Sequence, residues 1–169
     1  EIAAYQPGLA PSFTYATFTP EWQSISDPRD YVLGMAERFR AGGGEITITR
    51  AERLVAGGVE TSDGMIPGCV VLAAGAHSHH LALTAGAKIP LETERGYNTT
   101  LPAGAFDLKR QITFGGHGFV ISKVGDGLRV GGAVELGGLD LPPNFARADA
   151  MLKKVKRFLP ELDTSGGTQ

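Results

Sequence analysis

A continuous apolar run that ends in a glycine lies near the middle of the chain. Residues 70–74 read Val-Val-Leu-Ala-Ala, a pattern typical of a strand that is buried on both faces. Gly75 follows directly, and a glycine lets the backbone turn sharply or approach a large group closely. The run therefore predicts a buried strand and a small-residue turn, followed by a short helix from about Ser78 to Ala85 with Ser78 as its cap.

The pattern changes after residue 91, where short strands separated by glycine-rich turns are predicted. The strands fall at residues 91–101, 109–114, 118–123 and 128–135, and Gly-Asp-Gly at residues 125–127 is typical of a hairpin. We expect these four strands to form one antiparallel sheet. A last helix is predicted at residues 143–159, where apolar residues recur at helical spacing. Its basic side is typical of a solvated face, with membrane contact as the alternative, and carries Lys153, Lys154, Lys156 and Arg157.

The first part of the chain predicts one helix and several short strands. Asp27 and Pro28 are a strong helix start, because aspartate caps free backbone N–H groups and proline suits the first helical position. Three glycines at residues 42–44 should end this helix. Strands are predicted at residues 45–50, 53–55 and 59–61, with a turn at 62–65 and a further strand at 12–19. The helix carries one apolar stripe, formed by Val32, Met35, Ala36 and Phe39.

Composition excludes several classes of function. The chain has 169 residues, 42% of them hydrophobic, and a net charge of −2, which gives no basic footprint for nucleic acid. No apolar run reaches the roughly 20 residues of a membrane span. The single cysteine, Cys69, excludes an internal disulfide. His77, His79 and His80 do not predict a metal site, because no nearby residues complete a tetrahedral ligand set.

Several segments, in order, resemble the FAD-binding oxidoreductases of the D-amino-acid oxidase superfamily, and within it the bacterial D-amino-acid dehydrogenases of the small-subunit type. The segments are ISDPRDYVLGMAERFRAGGGEI, VVLAAGAHS, LETERGYNTTLP and GLRVGGAVELGGLDLPPNFARADAMLKKVKRFLPEL. The resemblance implies an α+β fold. Residues 1–90 would form part of an FAD-binding domain, and residues 91–169 an antiparallel substrate-domain sheet with flanking helices.

The sequence lacks two segments that are characteristic of the family it resembles. The family begins with a strand–GxGxxG–helix unit that holds the FAD diphosphate at a helix N-terminus. No GxGxxG occurs in this sequence, nor does the Trp- and Arg-bearing segment with which the family ends. We therefore expect a central piece of a longer enzyme.

The resemblance implies a reaction as well as a fold. The flavin N5 would accept a hydride from the α-carbon of an amino acid, so that the cofactor supplies the chemistry and no catalytic side chain is predicted. D-Amino acids are the expected substrates, with hydroxyproline, glycine or sarcosine as alternatives. We also expect homo-oligomers, a cytoplasmic location and, as an open alternative, peripheral contact with the inner membrane or an electron acceptor. The competing hypothesis is a catalytically inert domain that binds a partner or oligomerises.

Three small residues are candidates for contact with FAD. Ala74 and Gly75 follow the apolar run, where the backbone would lie close to the flavin nucleotide. A plain strand-to-helix turn is the alternative for this pair. By resemblance, Ala51 lies on a strand whose backbone brackets the adenine, and a main-chain contact requires no particular side chain.

Four residues are candidates for substrate binding. Arg95 and Tyr97 would share one face of a strand; an arginine can hold a carboxylate with two hydrogen bonds, and a tyrosine can close an apolar pocket. An ion pair with the neighbouring glutamates is the alternative for Arg95. By resemblance, the strand that carries His117 and Phe119 runs towards the flavin ring, so Phe119 would lie over the substrate and His117 at the rim.

Overall fold

The computed structural model describes residues 2–169, which divide into two compact units. The first unit comprises the described residues up to Met35 together with Arg95–Glu135 and Pro142–Gln169. The second unit comprises Ala36–Glu94 and Leu136–Leu141. Helix α1 is a single turn at Ile2–Tyr5. No helix within residues 2–169 has the length and hydrophobicity to cross a bilayer.

The first unit is built on the antiparallel sheet that the sequence predicts. Its elements are β4 Arg95–Leu101, β5 Ile112–Phe114, β6 Phe119–Val124, β7 Gly127–Glu135 and α4 Ala146–Phe158. Its four strands lie in the order β4-β7-β6-β5, and the predicted hairpin joins β6 to β7, with Val124 paired to Gly127. Helix α4 packs against the sheet and closes a core whose fully buried side chains include Leu108, Ile121, Val130, Val155 and Leu159.

The second unit contains a smaller sheet and a short helix. Strands β1, Ala51–Val55, β2, Gly58–Thr61, and β3, Gly64–Pro67, form an antiparallel meander. Helix α3, Ser78–Thr84, contacts β1, and the Thr84 hydroxyl accepts a hydrogen bond from the backbone N–H of Leu54 at 2.9 Å. The N-cap of α3 is His77, without a side-chain capping bond, so the prediction of Ser78 as the cap is wrong by one residue.

Three predicted strands do not form. Residues 12–19, 45–50 and 70–74 are assigned to no strand, and Val71 is 87% exposed. A strand buried on both faces needs neighbouring strands for its backbone groups and helices over its faces, and no described strand pairs with residues 70–74. The apolar run is therefore largely exposed and forms no strand, which corrects the expectation of a buried strand.

Helix α2, Pro28–Ala41, begins where the sequence predicts. The Asp27 carboxylate accepts a hydrogen bond from the backbone N–H of Arg29 at 2.8 Å, as an N-cap does. The predicted apolar stripe is nevertheless exposed, with Val32 at 61% and Met35 at 56%. The helix therefore owes its start to local capping and does not contribute to the core of the described residues.

Candidate functional site

Glu135 is the centre of a polar cluster at one end of the larger sheet. It is the last residue of β7, and its side chain is only 10% exposed. The Tyr97 hydroxyl donates to Glu135 Oε2 at 2.6 Å, while Arg147 Nε lies 3.2 Å from Oε1 and Arg95 Nη1 lies 3.6 Å from Oε2. The backbone N–H of Asn144 donates to the Tyr97 hydroxyl at 2.7 Å. This Glu135 cluster joins β4, β7 and the segment that leads into α4.

The surroundings of Glu135 favour its ionised form. The hydrogen bond from Tyr97 has the largest effect on the pKa of this carboxyl and lowers it. Burial, the next largest effect, raises the pKa, and Arg147 and then Arg95 lower it again. Arg95 forms an ion pair with Glu135 of the neighbouring strand. The Glu135 cluster connects β4, β7 and α4. Within it, the Arg95 guanidinium is paired with a carboxylate of the protein itself.

Phe119 and His117 lie beside α4. Phe119, the first residue of β6, is 4% exposed and its ring lies 4.7 Å from that of Phe114 and 5.9 Å from that of Phe158. His117 belongs to a 3₁₀ turn, Gly115–His117, and not to the strand as predicted. Its exposed imidazole lies 4.6 Å from the Phe158 ring, and its carbonyl accepts a hydrogen bond from Lys154 at 2.8 Å.

The predicted substrate residues Tyr97 and Phe119 lie on the face of the sheet that α4 covers. Burial alternates along β4, with Tyr97, Thr99 and Leu101 buried. Tyr97 pairs with Ala133, which packs against the same hydrophobic core that contains Phe119. Their rings are thus part of the packing between sheet and helix. Among the four substrate candidates, His117 presents an exposed side chain and Arg95 a half-buried one.

Ala51, Ala74 and Gly75 all lie in the second unit, and the structure leaves space beside Gly75. Ala51 is exposed at the start of β1, and Ala74 is half-buried before the 3₁₀ turn Gly75–His77. Gly75 has φ +54°, and a Cβ built there would meet no atom within 4 Å. The left-handed backbone therefore favours glycine here, and the open side fits a main-chain approach to a planar or phosphate-bearing group.

Sequence reasoning missed the second face of the larger sheet. The open face, as we call the face opposite α4, carries Asn98, Thr100, Val120, Ser122, Arg129 and Gly131, none of which is fully buried. Arg129 lies between the buried residues Leu128 and Val130 of the central strand β7. The order Leu-Arg-Val in the sequence could have revealed the open face. An arginine between two core residues of a central strand must point away from the core. The sequence analysis also missed the role of Glu135, because Tyr97 and Arg95, which contact it, are distant in sequence.

Comparison with known proteins identifies the family. The family model for FAD-dependent oxidoreductases of the DAO type matches residues 1–168. The chain belongs to this family. The helix and antiparallel sheet of the first unit agree with that assignment, and a solved structure, that of an L-amino acid deaminase from Proteus vulgaris, has a TM-score of 0.52 at 20% identity over 79% of this chain and 35% of that one. At that identity the likeness concerns the fold alone.

Curated relatives of this DAO-family chain are bacterial proteins. A D-amino-acid oxidase of Bradyrhizobium diazoefficiens is 30% identical over 96% of this chain and 40% of its own length. A D-amino acid dehydrogenase of Paramagnetospirillum magneticum is 38% identical over 62% of this chain and 25% of its own length. A D-amino acid dehydrogenase 2 of Pseudomonas aeruginosa is 30% identical over 95% of this chain and 41% of its own length. The chain thus spans between about a quarter and two fifths of the length of these three relatives.

Proposed function

We propose that this chain forms part of an FAD-dependent oxidoreductase that oxidatively deaminates amino acids, with D-amino acids as the preferred substrates. The observation that carries the proposal is the family match, which extends over residues 1–168. The names of the three curated relatives quoted above favour D-amino acids, since each is named a D-amino-acid oxidase or dehydrogenase.

In this proposal FAD, when bound, supplies the acceptor for the hydride that leaves the amino acid α-carbon. The second unit would hold the cofactor through the main chain of Ala51, Ala74 and Gly75. Their small side chains and the open side of Gly75 leave room for such contacts. A bulkier residue at Gly75 would both strain the left-handed backbone and fill that room.

The candidate substrate residues, all in the first unit, would act in two ways: three would position the site and one would contact the substrate. We assign a positioning role to Arg95, Tyr97 and Phe119, since the Glu135 cluster and the core hold these side chains in place. His117 is exposed in a turn rich in glycine, which supports direct contact with the substrate at the rim. Because no side-chain base is needed for hydride transfer, the role of these residues is to orient the substrate and exclude water.

The proposal is tested with the gene product that contains this sequence, purified and saturated with FAD. D-Alanine added without oxygen should bleach the flavin absorption band, whereas L-alanine should leave it unchanged. Bleaching by glycine, sarcosine or hydroxyproline alone would keep the oxidoreductase and replace its substrate. A protein that binds no flavin would contradict the proposal and favour the inert binding domain, for which exposed apolar residues such as Trp22, 77% exposed, are the supporting observation.

A further inference from the structure

Lys154 differs from its exposed neighbours on the basic side of α4. Lys153 and Arg157 are exposed, whereas Lys154 is partly buried. The Lys154 amine donates a hydrogen bond to the carbonyl oxygen of His117 at 2.8 Å and lies 5.7 Å from the centre of the Phe119 ring. Lys154 is therefore directed at the turn that precedes β6, and its contacts set it apart from a solvated lysine.

The position of Lys154 on α4 explains these contacts. Met151 and Val155 of the same helix are buried in the core, so Lys154 lies at the border of the face that covers the sheet. A lysine at such a border buries its aliphatic stem along apolar surface while its amine remains with polar groups. The carbonyl oxygen of His117 and the face of the Phe119 ring both attract this cation, which gives the amine a defined position.

The turn that carries His117 is rich in glycine. Gly115, Gly116 and Gly118 surround the histidine, and all four residues are exposed. A Cβ built at Gly115 or Gly116 would meet no atom within 4 Å, and Gly118 has φ +70°. Glycine has more conformational freedom than any other residue, so the position of His117 depends on contacts that reach the turn from outside.

Two residues of α4 supply such contacts. Lys154 binds the carbonyl oxygen of His117, and the Phe158 ring lies 4.6 Å from its imidazole. Residues four apart on a helix lie on the same face, so Lys154 and Phe158 hold the main chain and the side chain of one residue together. Phe158 is itself fixed in the core, with its ring 5.0 Å from that of Phe13 and 5.3 Å from that of Phe114.

We propose that Lys154 is a positioning residue, which fixes the turn at residues 115–118 and with it the imidazole of His117. The use of that position, contact with the substrate at the rim, rests on the proposed function. A hydrogen bond from a charged donor is stronger than one between neutral groups, which suits a turn that has only glycines beside the histidine. Without the amine, the imidazole keeps its contact with Phe158 alone and the turn samples more than one position.

The proposal is tested first by NMR spectra of this chain without ligand, compared at one pH. The ring current of Phe158 displaces the His117 Hε1 and Hδ2 resonances from their positions in a flexible peptide. Lys154→Met keeps the stem of the side chain and removes the donor. In this variant the His117 resonances should move towards the peptide values, and the heteronuclear NOE of the amides of residues 115–118 should fall. Lys154→Arg keeps a charged donor and should remain close to wild type.

Lys153→Met is the matched control, because it removes an exposed lysine of the same helix. It should change neither the His117 resonances nor the NOE values of the turn. Unchanged His117 resonances in Lys154→Met, or equal changes in Lys153→Met, would overturn the proposal. The amide resonances of the rest of the chain report whether each variant is folded.

The second test uses the FAD-saturated gene product with D-alanine as the substrate. Lys154→Met should raise KM several-fold, because apparent affinity falls with the fraction of molecules in which the turn is correctly placed. It should leave kcat nearly unchanged, since hydride transfer to the flavin needs no side-chain base. Lys154→Arg should restore KM, and Lys153→Met should not alter it.

The two tests separate this proposal from the proposed function. An unchanged KM in Lys154→Met, with the His117 resonances shifted, would overturn the role of Lys154 in substrate contact. A wild-type protein that does not oxidise D-alanine would contradict the proposed function alone, because the spectra of Lys154→Met decide the role of Lys154 in the turn without any substrate.

Discussion

Tyr97 shows how a residue that suggests a binding pocket can act as a structural connection. Its hydroxyl donates to Glu135 and accepts from the backbone of Asn144, while its ring is 4% exposed. Tyr97→Phe removes both hydrogen bonds and leaves a buried carboxylate oxygen without its donor. We predict a loss of about 1–3 kcal/mol in the free energy of unfolding, measured by urea denaturation. Tyr15→Phe, at a side chain 94% exposed, is the control and should have no measurable effect.

The lowered pKa of Glu135 predicts that the stability of the protein depends on pH. The Tyr97 hydrogen bond and the two arginines lower its pKa in the folded protein, so the folded state binds a proton less readily than the unfolded state. The stabilisation is therefore complete above the unfolded pKa and is lost as the pH falls through the folded pKa. The stability difference between wild type and Glu135→Gln should shrink as the pH is lowered from about 6 to about 3. A difference that stays constant over this range would contradict the assignment.

At the scale of elements, the core lies between α4 and the larger sheet. Leu159, the C-cap residue that follows α4, is fully buried, and Leu159→Ala should lower the free energy of unfolding by about 2–5 kcal/mol. Leu33 of α2 is 46% exposed, and Leu33→Ala should change it by less than about 0.5 kcal/mol. Both are measured by denaturant titration. An equally large loss at Leu33 would mean that α2 is covered in solution by another molecule.

The elements that sequence predicted well are those determined by local signals. The start of α2 follows from Asp27 and Pro28, and the β6–β7 hairpin follows from its Gly-Asp-Gly turn, because capping and turn chemistry act within a few residues. The run at residues 70–74 failed as a strand because pairing depends on partners elsewhere in the chain. Apolar character alone does not supply them.

The same distinction explains how much of the candidate site could be predicted. Ala51, Ala74, Gly75, Arg95, Tyr97, His117 and Phe119 came from local patterns and from resemblance, and their roles in binding remain predictions. The Glu135 cluster could not be predicted, because Tyr97 and Glu135 are 38 residues apart and meet only through the register of β4 and β7. The register of β4 and β7 also shifts between Tyr97 and Asn98, which leaves Gly132 as the extra residue of a β-bulge. Gly132 has φ +147°, and a Cβ there would lie 2.6 Å from the Cα of Phe119, so the close approach of β6 requires glycine.

At the scale of the whole molecule, exposed apolar side chains predict self-association. Tyr15, Trp22, Ile48 and Val71 are each at least 77% exposed, and large apolar side chains in such numbers favour contacts between molecules. We predict dimers or larger species whose mass, measured by light scattering, rises with protein concentration. Ile48→Lys together with Val71→Lys should reduce that mass. A wild-type protein that is monomeric at all concentrations would contradict the prediction.

The last prediction concerns the affinity of this chain for FAD. Phosphate contacts at a helix N-terminus supply a large share of dinucleotide binding, and the sequence contains no GxGxxG. The main-chain contacts proposed at Gly75 would reach only part of the cofactor and would not supply the diphosphate contacts of that motif. We predict that this chain alone binds FAD more weakly than micromolar, measured by quenching of flavin fluorescence on titration. Riboflavin, which lacks the diphosphate, is the matched control and should bind about as weakly as FAD. Micromolar or tighter binding of FAD, with riboflavin weaker, would show that other residues of the chain hold the diphosphate.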